Sequence, residues 1–152
     1  MNKYYFIAIV ASIVSLLCFG SAGCFAEPLN IEGQRGPLTT PQFTELETVA
    51  EEYWAYRGVT LPLPVEVYAA PDDPEAAGRG EVGGNRLWIM EPYIPVRHPG
   101  WREERYWEKL ELCLIYLHER GHNAGYGHET FQIMYDPWGT YKTPKCERWA
   151  QQ

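Results

Sequence analysis

The sequence predicts a small α+β domain. A twisted sheet, mixed or mostly antiparallel, would pack on an N-terminal helix and a long second helix, with a short C-terminal subdomain following a glycine turn. Three observations carry this. Apolar residues recur at helical spacing in two stretches, Phe43–Tyr53 and Trp107–Leu117. Between them lie short alternating or glycine-punctuated runs of strand type. About 126 residues remain after an export-type leader, enough for one core and not for two.

The leader is residues 1–26. Met1-Asn2-Lys3 is a positive start, Tyr4 to Gly20 is apolar, and Ser21–Gly23 are small, the three-part pattern of a secretory signal peptide. Cys24-Phe25-Ala26 before Glu27-Pro28 suits cleavage after Ala26. Ser21-Ala22-Gly23-Cys24 instead resembles a bacterial lipobox, with Ser where an aliphatic residue is usual. That reading ends the signal at residue 23 and tethers the domain to a membrane through a lipid on Cys24. The apolar run is also nearly long enough to stay as an uncleaved anchor. All three readings place the domain outside the cytoplasm, secreted or periplasmic.

Residues 27–152 then form the single domain. Residues 27–39 are a polar, extended lead-in. Thr40-Pro41 opens a helix, Thr as N-cap and Pro in the first turn, and Phe43, Leu46, Val49, Ala50 and Tyr53 mark its buried face up to Gly58. Leu63–Tyr68 alternates as a half-buried strand. Pro71-Asp72-Asp73-Pro74 is a turn; with Glu75 its acids could hold calcium, although a solvated acidic turn explains them as well. Gly80–Val82, Gly83-Gly84-Asn85 and Arg86–Met90 predict a β-hairpin, and Pro92, Pro95 and Pro99 an irregular loop. The second helix is expected over Arg102–Asn123, with Trp107, Leu110, Leu114 and Leu117 on its apolar face.

Without Lys3 the chain carries 12 basic and 20 acidic residues, a net charge of −8. That balance, with no basic patch, argues against nucleic-acid binding. A monomer is expected. Cys113 and Cys146 are the two cysteines of the mature chain, and in an exported protein an even pair predicts a bridge; two buried thiols are the alternative. A bridge would staple the second helix to the C-terminal segment.

The chemistry is concentrated in His118-Glu119-Arg120-Gly121-His122-Asn123-Ala124-Gly125-Tyr126-Gly127-His128, which holds three of the four histidines. His118 and His122 are one helical turn apart, so both imidazoles can reach one ion at about 2.0–2.1 Å. A third ligand needs the chain to turn sharply, and Gly125 allows a left-handed residue just past the helix end, bringing His128 round. Three neutral imidazoles leave a fourth position open, as in a catalytic zinc site rather than a structural one. Glu119 stands beside that position, placed to take a proton from water and pass it to a leaving amine. The combined pattern has a chance frequency on the order of 10⁻⁵, which sets incidental histidines aside. His98 has no visible partner and reads as a loop histidine.

This HExxHxxGxxH pattern, with Ile133-Met134-Tyr135 six residues beyond His128, resembles the metzincin clan of zinc endopeptidases and most closely its matrixin branch. The resemblance spans about residues 110–140. It implies a zincin-like fold, one catalytic zinc on His118, His122 and His128, Glu119 as general base, and Met134 as an apolar floor under the metal. It implies a protein or peptide substrate bound in extended form along an edge strand, for which Gly83–Met90 is the candidate. Tyr135, Trp138 and Tyr141 are candidate pocket residues, with aromatic packing as the other reading of the last two.

There are departures from the clan. The Val65–Tyr68 strand is too close to the next for the usual crossover helix, Asp136 interrupts the Met-Tyr-Pro run of matrixins, and no propeptide cysteine switch is recognisable. Astacin-like ligation would need a tyrosine where Asp136 stands, so Tyr135 is not expected as a ligand. Two other functions fit the same residues: a zinc hydrolase acting on a non-protein amide such as a cell-wall peptide, and an exported zinc-binding domain without catalysis. An intact Glu119 speaks against the second.

Overall fold

The computed structural model describes residues 31–94, 102–135 and 143–152. The expected signal segment with Cys24, His98 with the loop around Pro95 and Pro99, and Asp136, Trp138 and Tyr141 lie outside the described residues. So does the side chain of Tyr135.

Helix α1 spans Pro41–Ala55. Thr40 holds the N-cap position with extended backbone, but its side chain makes no capping hydrogen bond; Pro41, with its ring-fixed φ and no N–H to satisfy, carries the start. Phe43, Leu46, Ala50, Tyr53 and Trp54 are buried, while Val49, expected among them, is only partly so. Gly58 closes the helix with φ +74°, its N–H bonding the Ala55 carbonyl at 2.9 Å and that of Val59 bonding Trp54 at 3.0 Å.

Three strands follow: β1 (Glu66–Ala70), β2 (Gly78–Gly80) and β3 (Arg86–Met90). β1 starts three residues later than the alternation predicts. Pro64 cannot donate to a ladder, and Leu63, expected to face inward, is 60% exposed. The sheet is mixed, in the order β1-β3-β2. β1 pairs parallel with β3 from Glu66 opposite Arg86 to Ala70 opposite Met90; β2 and β3 form the expected antiparallel hairpin, Arg79 opposite Trp88.

This order corrects one expectation. The strand in Gly83–Met90 is central, and the edge is Gly78–Gly80. Leu87, Trp88, Ile89 and Met90 are all buried, as a strand covered on both faces must be. Leu87 and Ile89 join the main core, while Trp88 and Met90 join a second cluster with Ala70. The outer side of β1 is not free either. Arg35 exchanges both backbone hydrogen bonds with Ala69 at 2.7 and 2.8 Å, and the Leu38 N–H bonds the Val67 carbonyl at 2.6 Å, so the lead-in straps that side of the sheet.

Helix α2 spans Arg102–Asn123, as expected. Its tightly packed part begins at Leu110; Trp107, expected on the buried face, is 48% exposed, with its ring edge-on to Tyr106. A single helical turn, Gln132–Tyr135, and helix α3, Pro144–Ala150, complete the described chain. Thr143 caps α3, its hydroxyl accepting from the Cys146 N–H at 3.1 Å. Cys113 and Cys146 are disulfide-bonded, with Cα atoms 5.6 Å apart. Cys146, Trp149 and Ala150 enter the main core, so α3 is part of the domain rather than a separate C-terminal unit. Among the described residues no helix is long and apolar enough to cross a membrane.

Candidate metal centre

The end of α2 is built to turn. Gly125 adopts φ +88°; its N–H bonds the His122 carbonyl at 2.8 Å, and the Tyr126 N–H reaches back to Gly121 at 3.0 Å. This is the paired closing pattern of a helix stopped by a left-handed residue. A side chain at 125 would strain it. The chain doubles back, and His118, His122 and His128 converge with their ligand nitrogens all within 4.8 Å of one another.

The histidine rings are oriented by backbone. His118 Nδ1 donates to the Ile133 carbonyl at 2.8 Å, and His122 Nδ1 donates to that of Tyr126 at 2.9 Å. A carbonyl oxygen only accepts, so both Nδ1 atoms carry the hydrogen and both Nε2 atoms present lone pairs. Those lone pairs face each other at 3.2 Å, and His128 Nε2 lies 3.1 Å from that of His122. Nitrogens bound tetrahedrally to one zinc ion would be about 3.3 Å apart. A cation at their meeting point would turn the repulsion of facing lone pairs into coordination, so these residues fit a metal ion. Neutral imidazoles suit zinc, copper, iron or nickel, and not the oxygen-seeking calcium or magnesium.

Burial favours the ligand form of the imidazoles. It pushes His118 down to about 4, against the opposing pull of its bond to Ile133, and it lowers His122 in the same way. Both are neutral at pH 7 and carry no proton that a metal must displace.

Glu119 is 5% exposed, and burial pushes its carboxyl up to about 8, with the Gly80 amide and the Arg79 charge pulling the other way. Its Oε2 is buried without a hydrogen-bond partner among the described residues. Such an atom costs free energy unless something outside the protein chain meets it. Glu119 lines a cleft of about 510 Å³ together with the three histidines, Ile115 and the edge strand Gly78–Gly80.

That edge strand could lie so close only because of its glycines. A Cβ on Gly78 would come within 2.8 Å of both Glu119 Oε1 and Ile115. Two glycines two apart on a strand mark a face pressed against another chain segment, a signal present in the sequence but not read from it.

A second set of residues was also hidden inside the motif. Arg120 is wholly buried and pairs with Glu47 of α1 at 2.7 Å, while also donating to the Pro62 carbonyl and to Asn123 Oδ1. Asn123 in turn donates to the carbonyls of Glu81 and Arg86 at 3.0 and 2.8 Å, at the base of the hairpin turn. Tyr116, Arg120 and Asn123 fall at helical spacing on one face, and this polar stripe among apolar neighbours was the available clue.

Met134 is buried, its Sδ so near that a Cβ at Gly121 would approach it to 2.3 Å. It therefore packs on α2 at Gly121. Trp138 and Tyr141 cannot be placed at the site, being outside the described residues. Compared with protein-family models, characterised proteins and solved structures, the chain has no significant match.

Proposed function

We propose that this chain is an exported zinc-dependent endopeptidase of metzincin type, closest in pattern to the matrixins. The observation that carries the reading is the convergence of three imidazoles beside a buried carboxyl group whose Oε2 has no partner among the described residues. A purely structural metal site has no use for such a group. The signal-like residues 1–26 and the disulfide agree with export.

A zinc ion held there supplies Lewis-acid activation of water, and its charge favours the ionised form of the neighbouring carboxylate. Glu119 then takes a proton from the water that adds to the peptide carbonyl carbon. It delivers that proton to the departing amine nitrogen as the C–N bond breaks. The substrate lies extended beside β2. In the ladder, Ala77, Arg79 and Glu81 turn their backbone groups to β3, which leaves those of Gly78 and the carbonyl of Gly80 on the open side as pairing partners, the Gly80 amide being engaged by Glu119. The tight descent of this strand onto Glu119 brings a paired peptide to the carboxylate.

The test is digestion of a peptide library by the purified mature protein, with and without chelator. Chelator-sensitive cleavage is expected, with about one zinc per chain by elemental analysis. Glu119→Gln should keep the metal and lose cleavage by at least about 10²–10⁴-fold, whereas His122→Ala should lose both. A folded, zinc-loaded protein that cuts no peptide would overturn the peptidase reading in favour of a non-protein amide substrate or a binding role.

A further inference from the structure

Two of the three ligand histidines are held by α2 itself, but His128 stands exposed on a loop between Gly127 and Glu129. Its place beside the other two depends on what holds that loop. Tyr126 stacks on Trp54 of α1, ring planes 4° apart and centroids 5.9 Å apart. Phe131 meets both rings edge-on, at 5.2 Å from Trp54 and 5.0 Å from Tyr126. Offset-stacked and edge-on pairs are the arrangements that aromatic quadrupoles favour. Trp54 is itself fixed, wholly buried, with Nε1 donating to the Leu117 carbonyl of α2 at 3.1 Å.

His128 thus lies in a short span whose two ends, Tyr126 and Phe131, are both gripped by one indole from a helix over sixty residues upstream. Tyr126 has a second part in the same site, since its carbonyl accepts from His122 Nδ1. We infer that Trp54, Tyr126 and Phe131 form an aromatic clamp that presets His128 as the third metal ligand, with the Tyr126 ring as its principal positioning group. The clamp reduces the ordering entropy that metal binding must otherwise overcome. This inference rests on the metal-centre reading but not on peptidase activity.

Because the Tyr126 carbonyl remains in any substitution, changing the ring isolates the clamp. The measurement is the zinc dissociation constant of the full mature protein, by competition with a chromogenic chelator, beside thermal melts of the metal-free forms. Tyr126→Leu should weaken zinc binding about 10–100-fold, the range seen when groups supporting a ligand are lost. Tyr126→Phe, which keeps the stack, should stay near wild type. Phe131→Leu should weaken binding in the same direction and serves if Tyr126→Leu does not fold. Leu46→Ala, a core deletion about two helical turns from Trp54 along α1, should lower the melting temperature and leave the zinc constant unchanged.

Unchanged zinc binding in Tyr126→Leu and Phe131→Leu would overturn the clamp. So would an equal loss in Leu46→Ala, which would make the effect one of general stability. A wild-type protein that binds no zinc would instead remove the metal centre on which the clamp rests.

Discussion

Gly80 lies over Glu119 so closely that a Cβ built on it would stand 2.4 Å from the Glu119 carbonyl oxygen and 2.8 Å from the His122 Cβ. The first obstacle is backbone, so no rotamer change relieves it. The position of β2 above the histidines is thus set by the absence of a side chain.

Gly80→Ala should accordingly lift β2 from α2. Overpacking of this kind costs about 1–3 kcal/mol, readable by urea unfolding, and peptide cleavage should fall further than stability does. Gly127→Ala is the control: nothing lies within 4 Å of a Cβ there, and its stability should stay within about 0.5 kcal/mol of wild type. Equal effects of the two substitutions would contradict the close approach.

The buried titratable groups predict an unusual pH profile for the metal-free protein. Glu119 is raised from 4.5 to about 8, so the folded state holds its proton through that window and stability declines as pH rises across it. His118 is lowered from 6.5 to about 4, so the unfolded state binds the extra proton there and stability declines as pH falls from 6.5 towards 4. Where the windows overlap, the two slopes oppose each other. Removing Glu119 should expose the histidine slope. Metal-free Glu119→Gln is expected to lose stability on acidification below 6.5 more steeply than wild type, and to exceed wild type by on the order of 2–3 kcal/mol at pH 7. Chemical denaturation at several pH values checks this, and parallel profiles would refute it.

Glu47 faces the wholly buried guanidinium of Arg120 and also accepts from the Tyr116 hydroxyl at 2.8 Å. Glu47→Ala strands that cation, at a cost of about 3–5 kcal/mol. Because Arg120 holds Asn123, and Asn123 holds the hairpin, amide exchange in the hairpin should accelerate in this variant. Unaltered exchange at Glu81 and Arg86 would mean that the hairpin is held without the pair.

The Cys113–Cys146 bridge, spanning a sequence separation of 33, should contribute about 2–4 kcal/mol. A Cys113→Ser/Cys146→Ser double variant should melt at lower temperature yet still bind zinc, since neither cysteine lies among the three histidines that could hold the ion. Loss of zinc from a folded double variant would show that the staple sets the helix geometry.

Much of this was legible beforehand because it is local. The bounds of α2, the turn at Gly125 and the meeting of His118, His122 and His128 all follow from helical spacing and one left-handed glycine. The paired cysteines were legible from their even number beside a signal-like leader. The strand order was not, because it depends on which faces are covered: β3 reads as an edge until its four consecutive buried residues are seen as burial on both sides. Arg120 and Asn123 were passed over because their partners, Glu47 and the hairpin carbonyls, are distant in sequence. Trp54 was missed for the same reason.

The strap from Arg35 to Leu38 has a consequence for how copies of this chain behave together. It covers the β1 side, leaving β2, only three residues long, as the exposed margin of the sheet. A chain trimmed to begin at Thr39 would bare a row of unpaired amides and carbonyls along Glu66–Ala70, the kind of template on which other molecules add strands. Such a protein should associate with rising concentration in light scattering while the full-length mature form stays monomeric. A few residues of plain lead-in would thus act as the guard against polymerisation.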